Sequence, residues 1–116
     1  MNDNDKQLTF AAYEQAASAT RIYGEGQRVV YPTIGLAGET GEVADKVKKV
    51  IRDHGGDFSD PTCRQEIAKE LGDVLWYLNA IAVDMGYSLQ DIALMNISKI
   101  QSRQRRDAIH GQGDNR

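Results

Sequence analysis

At 116 residues and 12.9 kDa the chain has room for one domain and its core, and none for a second domain of ordinary size. Hydrophobic residues make up 41% and charged residues 27%, with no apolar run near the roughly 18 residues that cross a bilayer, which excludes a membrane-spanning class. The 14 basic residues against 17 acidic ones leave a net charge of −3, so the chain as a whole is no electrostatic partner for nucleic acid. Met1 to Lys6 is polar and acidic and lacks the basic-then-apolar pattern of a secretory signal, so a cytoplasmic location is expected. Cys63 is the single cysteine, which removes an intramolecular disulfide and a multi-thiolate zinc site.

In chain order, four stretches carry helical periodicity and none alternates as a half-buried strand does. The first helix is expected from an N-cap at Thr9 to about Thr20, with Phe10, Tyr13, Ala16 and Ala17 on one side. A loop with Gly24, Gly26 and Arg28 follows, to about Pro32. The second helix begins after Pro32-Thr33 and runs to about Asp53, ended by Gly55-Gly56. Asp60-Pro61 opens the third, which continues to Asp84 before Gly86. Ser88 to Asp91 form a capping box for the fourth, expected to reach about Asp107. The predicted fold is all-α, an antiparallel bundle of about four helices over residues 1–109, with a polar tail from His110 to Arg116 expected to be disordered.

On the second helix Glu39 and Glu42 are three apart, about 60° around the axis, and border an apolar stripe of Leu36, Val43, Val47, Val50 and Ile51. The third helix repeats the plan: Glu70 and Asp73 border Ile67, Leu71, Val74, Leu75, Leu78 and Ile81. Antiparallel packing through the two stripes would bring four carboxylates to one groove, where repulsion is costly without a cation or a proton. The donors are all oxygen, which favours Mg²⁺ or Mn²⁺ over zinc or copper, and with them a phosphorylated substrate. One acidic pair alone is commonly just a solvated face, with Glu42 pairing to Lys46 and Asp45 to Lys49. Two pairs on matching edges tip the balance toward a metal site.

Gly35, Gly38 and Gly41 recur within the second helix and Gly72 lies between Glu70 and Asp73, although each glycine costs a helix roughly 1 kcal/mol relative to alanine. Either another element approaches closely there or a ligand needs the room. On the fourth helix Asn96, Lys99 and Arg103 share a face able to grip a polyphosphate, or else form an ordinary solvated face. Tyr77, four residues beyond Asp73, can extend its hydroxyl to a phosphate while its ring packs on the core.

Gly35-Leu-Ala-Gly-Glu-Thr-Gly-Glu-Val-Ala-Asp45 followed by Lys69-Glu-Leu-Gly-Asp-Val-Leu-Trp-Tyr77 gives E-x-x-E, a spacer, then E-x-x-D. This resembles the MazG-like nucleoside triphosphate pyrophosphohydrolases over about Tyr31 to Arg103. The resemblance implies an all-α fold in which helices of two subunits often complete one bundle, hence a homodimer or homotetramer. It also implies Mg²⁺, with Mn²⁺ as a substitute, held by Glu39, Glu42, Glu70 and Asp73, and metal-assisted cleavage of an NTP or dNTP to the monophosphate and pyrophosphate. Tyr77, Asn96 and Lys99 match positions that contact the phosphates, and Arg103 is a looser match. Housecleaning of the nucleotide pool is the role such chemistry suggests.

Branches of that family selective for pyrimidine deoxynucleotides carry tryptophan or histidine near the start of the domain, where this chain has Tyr23 and Tyr31, so the base stays open. Trp76 lies about 240° from Glu70, with Ala80 and Val83 on the same side, and this second strip is expected to contact another subunit. Three rivals are weighed. A non-catalytic nucleotide-binding or protein-interaction module is disfavoured by the complete acid set. A di-iron bundle needs Glu-x-x-His pairs, which His54 and His110 do not supply. A phosphoribosyl-ATP pyrophosphohydrolase shares the acidic helices and differs only in substrate.

Overall fold

Thr9 caps the first helix, its Oγ1 accepting from the Ala12 N–H at 3.0 Å, and α1 runs Phe10–Ser18. It ends before the expected Thr20, whose hydroxyl donates to the Ala17 carbonyl at 2.6 Å as the chain turns. The computed structural model describes residues 7–106 and 113–114, and every regular element among them is helical. After a single 3₁₀ turn (Glu25–Gln27) come α2 (Val30–His54), α3 (Pro61–Asp84) and α4 (Leu89–Arg105). None of these helices is long and apolar enough to cross a membrane.

The start of α2 corrects the expectation that it follows Pro32-Thr33. Pro32 sits within the first turn, where its missing N–H has no intrahelical acceptor to lose. The boundary is set instead by Val29, at φ 66° and ψ −53°, with the Val30 N–H donating to the Arg28 carbonyl at 2.7 Å. That is the positive-φ γ-turn, the rarer and more strained of the two kinds, and a β-branched residue there costs roughly 1–3 kcal/mol. The other boundaries follow the sequence signals. Gly55 closes α2 in the left-handed region at φ 61°, and Asp60 caps α3 through Thr62 N–H at 2.9 Å. Ser88 and Asp91 exchange side chain to backbone hydrogen bonds at 2.9 and 3.0 Å. The expected end of α4 at Asp107 and the tail lie outside the described residues, Gly113 and Asp114 excepted.

The short connection after His54 folds α3 back along α2, and this hairpin is the largest packing contact in the chain. α1 packs on α3 and α4, tied to the start of α4 where Glu14 Oε1 accepts the Leu89 N–H at 2.9 Å. It also covers the strip of Trp76, Ala80 and Val83, with Ala17 and Ser18 facing them across a cavity of about 250 Å³. Within the chain, that strip faces α1. Few large side chains are fully buried. Tyr23, Val50 and Leu89 are buried, along with the small Ala80 and Ala82, whereas Leu71, Leu75, Leu94, Ile97 and Ile100 remain exposed.

Candidate active site

The antiparallel register of α2 and α3 decides which acids meet. One carboxylate oxygen from each of Glu39, Glu70 and Asp73 lies within 4.8 Å of the others. Glu42 is outside this trio and exposed, since three residues of helix turn it about 60° from Glu39 toward solvent, yet its charge is still felt at Glu39. At that spacing each ionised pair repels by about 3.5 kcal/mol at an effective dielectric near 20, and less where water reaches Asp73. Two responses are visible. Burial, the hydrogen bond shared with Glu70 and the charges of Asp73, Glu70 and Glu42 push the Glu39 carboxyl above the usual carboxylate range. Lys46 also crosses from α2 to bring its Nζ to 3.8 Å from Glu70.

A divalent cation suits this donor set. Ligand oxygens around octahedral Mg²⁺ are about 2.9 Å apart when adjacent and about 4.2 Å when opposite, and three ligands include at most one opposite pair, so the trio closes on one ion with side-chain shifts that shorten its separations by up to about 1.9 Å. All-carboxylate donors select hard cations, and three protein ligands leave coordination positions for water and phosphate.

Beside the trio lies a cavity of about 380 Å³, lined by Thr20, Ile22, Tyr31, Glu39, Asp73, Trp76 and Tyr77. Trp76, expected to face away from the metal edge, lines this cavity because its indole swings across to donate from Nε1 to Thr20 Oγ1 at 2.8 Å. Its ring meets Tyr77 edge to face at 5.0 Å, and Tyr31 stacks on the buried Tyr23 at 4.9 Å. Burial raises the Tyr77 phenol above its ordinary value, helped by Tyr31, Glu39 and Asp73. A methyl group at Gly35 would overlap the Tyr77 ring, so this glycine permits the close approach that seats Tyr77. Gly38, Gly41 and Gly72 face open space within the chain. The two explanations for the helix glycines thus divide between positions.

Residues 33–106 match the family model of the MazG nucleotide pyrophosphohydrolase domain. The chain belongs to that family. The Gene 37 protein of Mycobacterium phage L5 is 43% identical over 110 residues, which cover 90% of this chain and 96% of the phage protein. No solved structure gives a significant match. All four acids, Tyr77 and the polar residues of α4 fall inside the matched MazG span, whereas Thr20, Ile22 and Tyr31 precede it.

The α4 residues occupy another surface of the MazG domain. Asn96 and Lys99 line a cavity with Ile92 and Met95, and the Lys99 Nζ is 2.9 Å from Asp114 Oδ1. Arg103 is buried, with Nη2 donating to the Asp114 carbonyl and carboxylate at 3.1 Å each and to the Gly113 carbonyl at 3.4 Å. None of the three lines the cavity over the acids.

Sequence reasoning missed Lys46 and the site-facing role of Trp76. Lys46 follows Glu42 by four residues, so it reads as an intrahelical partner, and only the register of α3 reveals Glu70 as the closer acid. Asp45 does pair as expected, with Lys49 at 2.8 Å and also Lys48 at 3.0 Å, which holds its carboxyl down at about 2.

Proposed function

We propose that the protein is a divalent-metal-dependent nucleoside triphosphate pyrophosphohydrolase, converting an NTP or dNTP and water into the nucleoside monophosphate and pyrophosphate. The observation that carries this reading is the carboxylate trio at the edge of an aromatic-walled cavity large enough for a small molecule. Glu39, Glu70 and Asp73 are the proposed ligands of Mg²⁺ or Mn²⁺, joined by Glu42 when its side chain turns inward. Such an ion supplies charge neutralisation for the polyphosphate and acidifies water at neutral pH. Tyr31, Trp76 and Tyr77 line the cavity, which supports the first two as flat faces for the base and the Tyr77 hydroxyl as a contact to a phosphate oxygen. A carboxylate not engaged by the ion takes the proton of the attacking water.

Asn96, Lys99 and Arg103 lie on another surface of the chain, so their proposed contact with the phosphates requires a second subunit to present them at the acids, with Asp114 giving up its place on the two cations. The exposed Leu71, Leu75, Leu94, Ile97 and Ile100 support a homodimer or homotetramer, since a chain of this size rarely leaves so many large apolar groups in water. The proposed setting is the cytoplasm, with the enzyme acting on the nucleotide pool.

The test is a panel of canonical and modified NTPs and dNTPs, with phosphoribosyl-ATP included, assayed for pyrophosphate release in Mg²⁺ or Mn²⁺. Metal-dependent pyrophosphate release from at least one nucleotide is expected. Binding of nucleotides without turnover of any would favour the non-catalytic module instead.

A further inference from the structure

Asp84, the last residue of α3, lies 11 residues beyond Asp73, about 16 Å along the helix and out of reach of a metal held by the trio. Its carboxylate is 1% exposed. One oxygen, Oδ2, accepts from the Tyr23 hydroxyl at 2.8 Å and from the Val29 N–H at 2.9 Å. The other faces Arg21 at 3.5 Å and Arg28 at 3.7 Å, both longer and partly solvated pairs. The two short bonds have a common destination. Val29 is the strained residue that turns the chain into α2, and Tyr31 is two residues later. Tyr23 is the ring on which Tyr31 stacks. Both supports of Tyr31, the backbone ahead of it and the ring beneath it, therefore end on one carboxylate oxygen.

We propose that Asp84 is a positioning residue for the nucleotide: it holds Val29 at positive φ and Tyr23 in place, and so seats Tyr31 at the wall of the cavity beside Glu39. Freed from Asp84, a valine relaxes toward negative φ, which redirects the first turn of α2 and displaces Tyr31. The metal ligands, farther along α2 and on α3, stay where they are. Asp84 thus governs how tightly the nucleotide is gripped and not how fast it is cleaved. This inference rests on the proposed pyrophosphohydrolase reading.

The experiment compares the full-length wild type with Asp84→Asn and with the double variant Asp84→Asn/Val29→Gly, at saturating Mg²⁺. Pyrophosphate release gives KM and kcat, and quenching of Trp76, the single tryptophan, gives nucleotide affinity directly. Asp84→Asn strips the charge from both short bonds and turns an amide N–H₂ either toward those donors or toward Arg21 and Arg28, and is expected to raise KM about tenfold with kcat unmoved. The double variant is expected to recover most of that loss, because glycine holds a positive φ unaided. A KM unchanged in Asp84→Asn, a fall in kcat in its place, or a double variant as impaired as the single one overturns the proposal. Should Asp84→Asn fail to fold, Tyr23→Phe removes one of the two bonds: a KM raised about threefold supports the proposal, and an unmoved KM overturns it. If the wild type binds nucleotides without turnover, the hydrolase reading fails alone and the same comparison is read from Trp76 quenching. If it binds none, both fail.

Discussion

Glu39 is where the chain's electrostatics and its chemistry meet. Its carboxyl is raised in the metal-free protein by burial and by three neighbouring acids, so the folded state holds a proton that the unfolded state releases. The contribution to stability is complete below the usual carboxylate range and is lost as pH rises through the raised value. A divalent cation reverses the preference by favouring the ionised form. The rise in melting temperature on adding Mg²⁺ is therefore expected to grow from pH 5 to pH 8, and a rise independent of pH would contradict this account. Glu39→Gln and Asp73→Asn are each expected to lower kcat about 100-fold or more with the helical circular dichroism intact. Wild-type activity in either would remove that residue from the site. Tyr23, buried against Asp84, has its phenol pushed up to about 12, so it should ionise last in a spectrophotometric titration, and in Tyr23→Phe that last step should vanish. At this scale the sequence revealed the acids through their spacing on apolar stripes. It did not reveal that Lys46 belongs to Glu70, or that Glu42 turns outward, since both depend on the register between two helices.

The helices themselves were legible because their ends carry local chemistry: Thr9, Asp60 and Ser88 as caps, Gly55 in the left-handed region, a capping box at Asp91. The start of α2 was not, because Val29 is held in its turn by Asp84, 55 residues away in sequence, and no local signal encodes such a contact. Trp76 was misplaced for a related reason. Its angle around α3 points away from the acids, but a long indole anchored on Thr20 reaches back across the groove. The helix glycines allow a comparison at the same scale. Gly35→Ala forces a methyl into the Tyr77 ring and should destabilise the protein by about 1–3 kcal/mol, more than the gain in helix propensity. Gly38→Ala meets open space within the chain and should instead stabilise it by up to about 1 kcal/mol. Paired thermal melts check this, and the reverse order would place a packed neighbour at Gly38 and none at Gly35.

The whole molecule reads as a hairpin, α2 and α3, that brings three carboxylates together and supplies the aromatic wall of Tyr31, Trp76 and Tyr77, with Thr20 and Ile22 of the loop after α1 closing the cavity. The polar face of α4 stands apart, and Leu94, Ile97 and Ile100 on that helix are exposed together with Leu71 and Leu75 of α3. A second copy covering this apolar surface predicts a solution mass of at least twice 12.9 kDa, measured by light scattering. An active strict monomer would contradict it. The central claim is that the trio directs water to the bond between the α and β phosphates. Phosphorus NMR of the products formed from a turned-over nucleotide and Mg²⁺ tests it most directly. The account predicts a nucleoside monophosphate and pyrophosphate in equal amounts from the wild type and neither from Glu39→Gln; a nucleoside diphosphate with orthophosphate would contradict it.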